Sequence, residues 1–176
     1  DDPSYLPKAA VNGDLSSLLA AIRKEVGPGV GWTLERIEQC RREVEAMMIP
    51  NIAEAGSRVA PQTVLEEMRR LLPRDGILMV DVGAHKLIAM AQWSAYEPET
   101  FLTTSGLASM GYAIPGAIAA KLARCDKQVV AFMGDGGFLM YTGELETLAR
   151  LKLPVTVVVM NDAPLSSIKV KQVKRN

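Results

Sequence analysis

The chain has 176 residues, of which 48% are hydrophobic and 23% are charged, a composition typical of globular proteins. Its 20 basic and 20 acidic residues balance, which excludes a broad basic surface for nucleic acid or an anionic membrane but leaves room for a local anion site. No apolar run approaches the roughly 18 residues that a membrane-spanning helix needs. The cysteines, Cys40 and Cys125, fit neither a metal-ligand spacing nor a disulfide framework, so we expect a reducing, cytoplasmic compartment.

The first 60 residues predict two helices followed by a linker. Asp14 can serve as an N-cap, and the apolar residues that follow it at helical spacing are Leu15, Leu18, Leu19 and Ile22. Thr33 can cap the second helix, and the stretch from Pro50 to Ala60 is expected to be a linker. The chain starts without an initiator methionine and stops just past a motif, so we expect it to be a piece of a longer protein.

From residue 61 the pattern predicts an α/β fold. Pro61 suits the first turn of a helix, whose expected apolar stripe ends before Pro73 and consists of Val64, Leu65, Met68, Leu71 and Leu72. Apolar runs without alternation, typical of buried parallel strands, occupy residues 77–82, 129–133 and 155–160. Helical segments are expected at about residues 85–93, 111–123 and 142–151. This alternation predicts a doubly wound, mostly parallel sheet with flanking helices and right-handed crossovers.

Notable residues stand at the carboxyl end of each of the three apolar runs, where each strand is expected to end. They are Asp81-Val82-Gly83-Ala84-His85, then Gly134-Asp135-Gly136-Gly137, and finally Asn161-Asp162. In an open parallel sheet, ligands bind beyond the carboxyl ends of the strands, so these residues are expected to share one edge. Glycine amides can approach an anion, and Asp135 and Asp162 offer the hard oxygens that Mg²⁺ or Ca²⁺ prefers. The alternative is a pair of tight turns with surface aspartates.

Two other nucleotide-binding motifs fit badly. The dinucleotide fingerprint would need glycine at position 139, which is leucine, and the chain has no Gly-Lys-Ser/Thr sequence for a P-loop. A lone histidine is more often structural than functional, but the position of His85 just past a strand end favours a phosphate or active-site contact. For Trp93 and Tyr96, packing is preferred to a stacking role. Tight packing is likewise preferred for the small residues of the middle helix, with close approach to a ligand as the alternative: Ala113, Gly116, Ala117, Ala119 and Ala120.

Three of these motifs, in this order, carry a resemblance to a known superfamily. Gly134-Asp135-Gly136 followed by Asn161-Asp162 resembles the thiamin-diphosphate signature, a Gly-Asp-Gly triplet followed by an Asn-Asn pair. Residues 81–85 and 105–115 resemble the same superfamily, nearest to its acetohydroxyacid (acetolactate) synthase and benzoylformate decarboxylase group. The resemblance implies three parts: residues 1–26 as the tail of a middle domain, 27–60 as a linker with one helix, and 61–176 as part of the thiamin-diphosphate-binding domain.

The resemblance also implies a role for each matching position. Asp135, Asp162 and the backbone carbonyl of Pro164 would ligate Mg²⁺. The diphosphate would be held by the glycine turn and by the segment after the first strand, at Gly134, Gly136, Gly137, Ala84 and His85. The carbonyl of Ala108 would accept a hydrogen bond from the 4′-amino group of the cofactor's pyrimidine, and Met110 would support the bend between the two rings.

Some positions depart from the family pattern. The pair at 161–162 is Asn-Asp, and Gly137 stands where serine is common, which removes one hydroxyl donor. The loop at residues 163–167 differs from the usual synthase loop, and Lys171 stands near the place of an aromatic residue that often lines the substrate channel. These departures concern the substrate rather than the class of cofactor. The basic residues near the end of the chain are expected to form a solvated helix face: Lys169, Lys171, Lys174 and Arg175.

The resemblance implies a thiamin-diphosphate-dependent lyase or transferase that decarboxylates a 2-oxo acid and then performs a carboligation. The glutamate that activates the cofactor would belong to an N-terminal pyrimidine-binding domain, usually of a partner subunit in a homodimer or homotetramer. These 176 residues alone are therefore expected to be inactive. No nucleic-acid or membrane partner is expected. The alternatives are a benzoylformate-type simple decarboxylase and a non-catalytic module that retains the fold.

Overall fold

The computed structural model describes residues 10–26, 31–48 and 59–161. The chain divides into two compact units, Asp1–Glu43 and Val44–Asn176. Most of the expected linker at residues 50–60, Asp162, Pro164 and the basic residues near the end lie outside the described residues. The division into three parts stays a prediction. Among the helices of the described part, none is both long enough and apolar enough to cross a membrane.

Both predicted helix starts in the first unit are confirmed. Helix α1 spans Leu15–Glu25 and helix α2 spans Leu34–Met48. The Asp14 carboxylate accepts a hydrogen bond from Ser17 N at 2.8 Å, and the Thr33 hydroxyl accepts one from Arg36 N at 3.1 Å. These bonds satisfy backbone N–H groups that have no partner within their helix. The bond from Ser17 N also holds the pKa of Asp14 below its ordinary value.

The second unit is built on a parallel four-stranded sheet in the order β2-β1-β3-β4. The strands are β1 (Ile77–Val80), β2 (Phe101–Thr103), β3 (Val129–Gly134) and β4 (Val155–Met160). The helices are α3 (Pro61–Leu71), α4 (Ala84–Gln92), α5 (Ala113–Ala123), α6 (Asp135–Met140) and α7 (Glu144–Arg150). The predicted α/β class with a parallel sheet is confirmed.

Each face of the sheet carries its own core, because successive side chains of a strand point to opposite faces. Leu78, Val80 and Phe132 pack on the face that also holds Leu65 of α3 and Ala89 of α4. The opposite core contains residues of β1, β3, α5 and α7: Met79, Ala131, Ile114, Ala117 and Leu148. The chain moves from β1 to β2 in one direction and from β2 through β3 to β4 in the other. Right-handed crossovers therefore place α4 and α5 on opposite faces.

The packing interpretation of the small residues in α5 is confirmed at the face that meets the sheet. Ala113 and Ala117 are fully buried, and a Cβ added at Gly116 would lie 3.0 Å from Met79 Sδ. The stripe expected along α3 is wrong at Leu71, which is 68% exposed. At about 100° per residue, Leu71 lies roughly 120° around the helix from buried Leu65, so it cannot share the same core.

Asp75 and Lys127 connect the turn before β1 with the turn before β3. Lys127 Nζ donates to the Asp75 carboxylate, and this bond lowers the pKa of Asp75 below its ordinary value. A depressed folded-state pKa gives stability that is present above the unfolded pKa and is lost as the pH falls through the folded pKa.

We expect Asp75→Asn to lower the midpoint of thermal unfolding slightly at pH 7, with a difference from the parent protein that shrinks below about pH 4. The measurement is thermal unfolding over this pH range. Glu66→Gln, an exposed acid of α3 without a hydrogen bond or ion pair in the described part, is the control and should change the midpoint little throughout. A difference for Asp75→Asn that grows as the pH falls would contradict the assignment.

Candidate functional site

The topology of the sheet defines a crevice at one edge. The chain leaves β1 toward β2 on one side and returns on the other side as β3, so β1 and β3 flank the point where the winding reverses. Ligands of doubly wound sheets bind beyond the carboxyl ends of the strands at such a point. Val80 of β1 aligns with Phe132 of β3 in register, so the segments that follow the two strands lie side by side. These segments are the two glycine-containing turns singled out in the sequence.

The turn after β1 is shaped by Gly83 and His85. Gly83 precedes α4 with a φ of +153°, and a Cβ added there would lie 2.6 Å from His85 Cε1. The His85 ring is 6% exposed and meets Phe132 edge-on, with 5.2 Å between the ring centroids. It also lies beside the second turn, because a Cβ at Gly134 would be 3.6 Å from His85 Cε1. His85 therefore has a packing role between the two turns. Its expected contact with a phosphate stays a prediction.

The turn after β3 is the start of a short helix rather than a loop. Asp135, Gly136 and Gly137 are the first residues of α6, and N–H groups at the start of a helix have no intrahelical acceptor. Asp135 is half-buried, and its carboxylate forms no hydrogen bond or ion pair with the part of the chain that the structure describes. An acidic residue in the first turn is favoured by the helix dipole. Asp135 therefore lies at the carboxyl end of β3 with carboxylate oxygens that its described neighbours do not use.

Gly137 is fitted against a buried carboxylate. A Cβ added at this position would come far inside van der Waals contact of Asp81 Oδ2. Asp81 follows β1 directly and is 0% exposed. Any side chain at position 137 must therefore displace Asp81 or the first turn of α6. The glycine that replaces the common serine of the family pattern matches this lack of space.

We expect Gly137→Ala to lower the free energy of unfolding by about 1–3 kcal/mol, the usual cost of forcing extra volume into a packed site. Gly143→Ala is the matched control, because a Cβ at Gly143 would meet nothing within 4 Å. The control should change the free energy of unfolding by less than about 1 kcal/mol. Denaturant unfolding without cofactor measures both variants, and equal effects would contradict the fit.

A third segment, residues 104–112, joins the site from the far side of β1. Ala108 has a φ of +48°, an uncommon conformation for a residue with a side chain. Ala108 and Met110 are half-buried, whereas Leu107 is 99% exposed. The Asp81 carboxylate accepts hydrogen bonds from Gly111 N at 2.8 Å and from Tyr112 N at 3.1 Å. Lys86 Nζ of α4 donates to the carbonyl oxygen of Thr104, at the other end of the segment.

The roles of Asp81 and Lys86 in holding this segment were missed in the sequence. Asp81 was among the residues noted after the first apolar run, but its partner Gly111 is 30 positions away along the chain. The available signal was an acidic residue that directly follows a buried strand. Such a carboxylate has to be satisfied by groups from elsewhere in the fold.

The structure does not test the predicted metal site as a whole. Strands β3 and β4 are neighbours, and Gly134 aligns with Met160, so Asp135 and Asn161 follow aligned positions. Asp162 and Pro164 lie outside the described residues. Within the described ranges, no group of three or more His, Cys, Asp or Glu side chains is arranged to hold a metal ion. The convergence of Asp135 and Asp162 on one cation stays a prediction.

The packing interpretation of Trp93 and Tyr96 agrees with their contacts. The guanidinium carbon of Arg69 lies 4.6 Å from the centre of the Trp93 ring and 5.0 Å from that of Tyr96. Arg69 also donates to the carbonyl oxygens of Leu72 and Pro73 at the end of α3. The two aromatic rings thus pack against Arg69, whose hydrogen bonds stabilise the end of α3.

Comparison with known proteins assigns this chain to a family. Residues 81–176 match the model of the thiamine pyrophosphate enzymes, C-terminal TPP binding domain, and the chain belongs to this family. It is similar to the acetolactate synthase of Bacillus subtilis (strain 168), with 30% identity over 99% of this chain and 31% of that protein. It is also similar to acetolactate synthase isozyme 2 large subunit of Escherichia coli (strain K12), with 30% identity over 96% of this chain and 30% of that protein.

A third relative is the acetolactate synthase large subunit of Parasynechococcus marenigrum (strain WH8102), which is 36% identical over 92% of this chain and 27% of that protein. The chain thus spans about three tenths of the length of these curated relatives. The predicted membership of the thiamin-diphosphate superfamily is confirmed, and the named relatives are acetolactate synthases.

Proposed function

We propose that this chain is the Mg²⁺- and diphosphate-binding part of a thiamin-diphosphate-dependent enzyme that decarboxylates a 2-oxo acid and performs a carboligation, as an acetolactate synthase does. The observation that carries the proposal is the crevice between the ends of β1 and β3, with Asp135 unengaged at its rim, in a chain of this family. In this proposal the longer protein provides the rest of the active site.

The donor set of the crevice fits a diphosphate with its divalent cation. Asp135 offers a hard anionic oxygen of the kind that Mg²⁺ prefers. The first N–H groups of α6, at Gly136 and Gly137, lack intrahelical acceptors and can donate to phosphate oxygens. Gly134 belongs to the same turn as these amides, and the start of α4, at Ala84 and His85, would form the other wall. Asp162 and the carbonyl of Pro164 would complete the metal coordination.

The loop that carries Ala108 and Met110 would hold the ring end of the cofactor. In the proposed arrangement the Ala108 carbonyl accepts a hydrogen bond from the 4′-amino group, and Met110 supports the bend between the rings. The positive φ of Ala108 agrees with a functional position, since such conformations cluster at binding sites. When bound, the cofactor supplies the reactive carbon and the electron sink for decarboxylation.

The proton acceptor for this chemistry would come from outside the chain. A partner subunit would contribute a pyrimidine-binding domain with an activating glutamate, in a homodimer or homotetramer. This division of labour agrees with the chain spanning about three tenths of its relatives, whose whole length would include the remaining domains. A cytoplasmic location is part of the same proposal.

Calorimetric titration of the longer protein with thiamin diphosphate, with and without MgCl₂, tests the proposal. We expect saturable binding only when Mg²⁺ is present, followed by CO₂ release from pyruvate and formation of a carboligation product. CO₂ release without a carboligation product would favour a benzoylformate-type decarboxylase. Binding without turnover would favour a non-catalytic module, and failure to bind would overturn the proposal.

A further inference from the structure

We propose that Asp81 and Lys86 are positioning residues that hold the two ends of the segment 104–112, Asp81 beside the turn after β3 and Lys86 at the start of α4. They would thereby set where Ala108 and Met110 lie relative to the glycine turn at Gly137. This inference rests on the proposed function, because that function brings the cofactor to this segment. It adds two charged residues that touch neither the metal nor the reacting atoms.

The Asp81 carboxylate is buried, and its hydrogen bonds attach the end of the segment 104–112 to the end of β1. It is 0% exposed, and it forms no ion pair with a described basic residue. Burying a charge is costly unless hydrogen bonds compensate for lost hydration. Here Oδ2 accepts from Gly111 N at 2.8 Å and Oδ1 accepts from Tyr112 N at 3.1 Å. Two bonds to successive amides fix both the distance and the direction of the segment before α5.

The same carboxylate also contacts the glycine turn. A Cβ at Gly137 would collide with Asp81 Oδ2, and it would lie 3.3 Å from Gly111 N. The end of β1, the entry to α5 and the first turn of α6 therefore meet around one oxygen atom. A shift of Asp81 must move Gly111 relative to Gly137. Asp81 thus connects the glycine turn, which would hold the diphosphate, with the segment 104–112, which would hold the rings of the cofactor.

Lys86 acts at the other end of the segment. It lies in the first turn of α4, and its Nζ donates to the Thr104 carbonyl just after β2. Between the two attachment points, Ser105, Gly106 and Leu107 are exposed, so burial contributes little to their order. Segments with few buried contacts open at low free-energy cost. The conformation of this segment therefore depends on the attachments at its ends.

Lys121 provides a matched control for Lys86. Its Nζ also donates to backbone carbonyls, those of Cys125 and Lys127, and its side chain is buried. These contacts follow the end of α5, next to the amino end of β3. Lys121→Met should therefore affect stability without altering the segment 104–112.

The test compares Asp81→Asn, Lys86→Met and Lys121→Met in the longer holoenzyme. Asp81→Asn keeps the shape of the side chain but presents an amide to one of the two backbone N–H donors. We expect kcat with a 2-oxo acid such as pyruvate to fall about 10–100-fold for both site variants, since small misplacements at a reacting centre have effects of this size. The affinity for thiamin diphosphate with Mg²⁺ should change less than fivefold, and Lys86→Arg should recover part of kcat.

Two further readouts separate positioning from general stability. Amide hydrogen exchange without cofactor should become faster at Gly111 and Tyr112 in Asp81→Asn and at residues 105–107 in Lys86→Met. The near-ultraviolet circular dichroism of the bound cofactor should change in both variants. Lys121→Met should lower the melting temperature without either change. Lys86 is only half-buried, so Lys86→Met is expected to fold and tests the proposal even if Asp81→Asn does not fold.

The outcomes are distinct. If the parent protein binds and turns over but the site variants change only the melting temperature, as the control does, the positioning proposal is overturned and the proposed function stands. A parent protein that binds no thiamin diphosphate would overturn both. Faster exchange in the site variants, with altered circular dichroism and reduced kcat, would establish the positioning role.

Discussion

Asp135→Asn is expected to weaken the Mg²⁺-dependent binding of thiamin diphosphate by more than about 100-fold. Loss of a residue that only supports a metal ligand already reduces metal affinity by about 10–100-fold, and loss of the anionic ligand itself should exceed that. The Asp135 carboxylate is half-buried and unengaged by the described residues, so its removal breaks no hydrogen bond that holds the described fold. Stability without cofactor should accordingly change little.

Glu144→Gln is the matched control for this variant. Glu144 is also a half-buried acid in the first turn of a helix, α7, but it lies outside the proposed site. Calorimetric titration with thiamin diphosphate and MgCl₂ should give near-parental affinity for Glu144→Gln and almost no heat of binding for Asp135→Asn. Equal affinities would show that other residues hold the diphosphate metal.

The second large effect concerns turnover by the 176-residue chain itself. We expect no measurable CO₂ release from 2-oxo acids, even with thiamin diphosphate and Mg²⁺, whereas the longer protein should be active. Orientation and a positioned proton acceptor each contribute several orders of magnitude to enzymatic rates. In the proposed function the proton acceptor is a glutamate of a pyrimidine-binding domain outside these 176 residues.

Six of the described acids bear on this expectation, and each has another contact, another proposed role or a place in another turn. Asp81 uses both carboxylate oxygens to accept hydrogen bonds from backbone amides. Asp135 binds the metal in the proposed function. Glu144 and Glu146 lie in the first turn of α7, where the helix dipole stabilises acidic side chains. Glu97 and Glu99 lie in the turn before β2. Incubation of the purified chain with pyruvate and benzoylformate, beside a cofactor-only reaction, measures the result. Sustained turnover would show that an acid within these 176 residues activates the cofactor.

The longer elements could be predicted because their signals are local. The apolar run at residues 155–160 coincides with β4, and the caps at Asp14 and Thr33 start α1 and α2 as expected. Propensity, capping and periodicity act over a few neighbouring residues, so the sequence carries them directly. The order of the glycine and acidic motifs was likewise sufficient to identify the superfamily that the family match confirms.

Strand β2 and helix α6 could not be predicted in this way. Strand β2 is short, with Pro98 in the turn before it and hydroxyl side chains at its end, and it forms because β1 offers it an open edge for pairing. Helix α6 begins Asp-Gly-Gly, and glycine is a poor helix former, so the sequence favoured a turn. Its first turn is supported by close packing of Gly137 against Asp81.

The sequence by itself determined the class of fold, the family and the strand ends at which the proposed cofactor site lies. Only the tertiary structure decided that Asp81 accepts a hydrogen bond from Gly111 and packs against Gly137, and that Lys86 donates one to Thr104. Strand and helix periodicities are properties of consecutive residues, whereas these contacts join segments separated along the chain. They arise because parallel strands align their carboxyl ends at one edge, so that the following turns meet there.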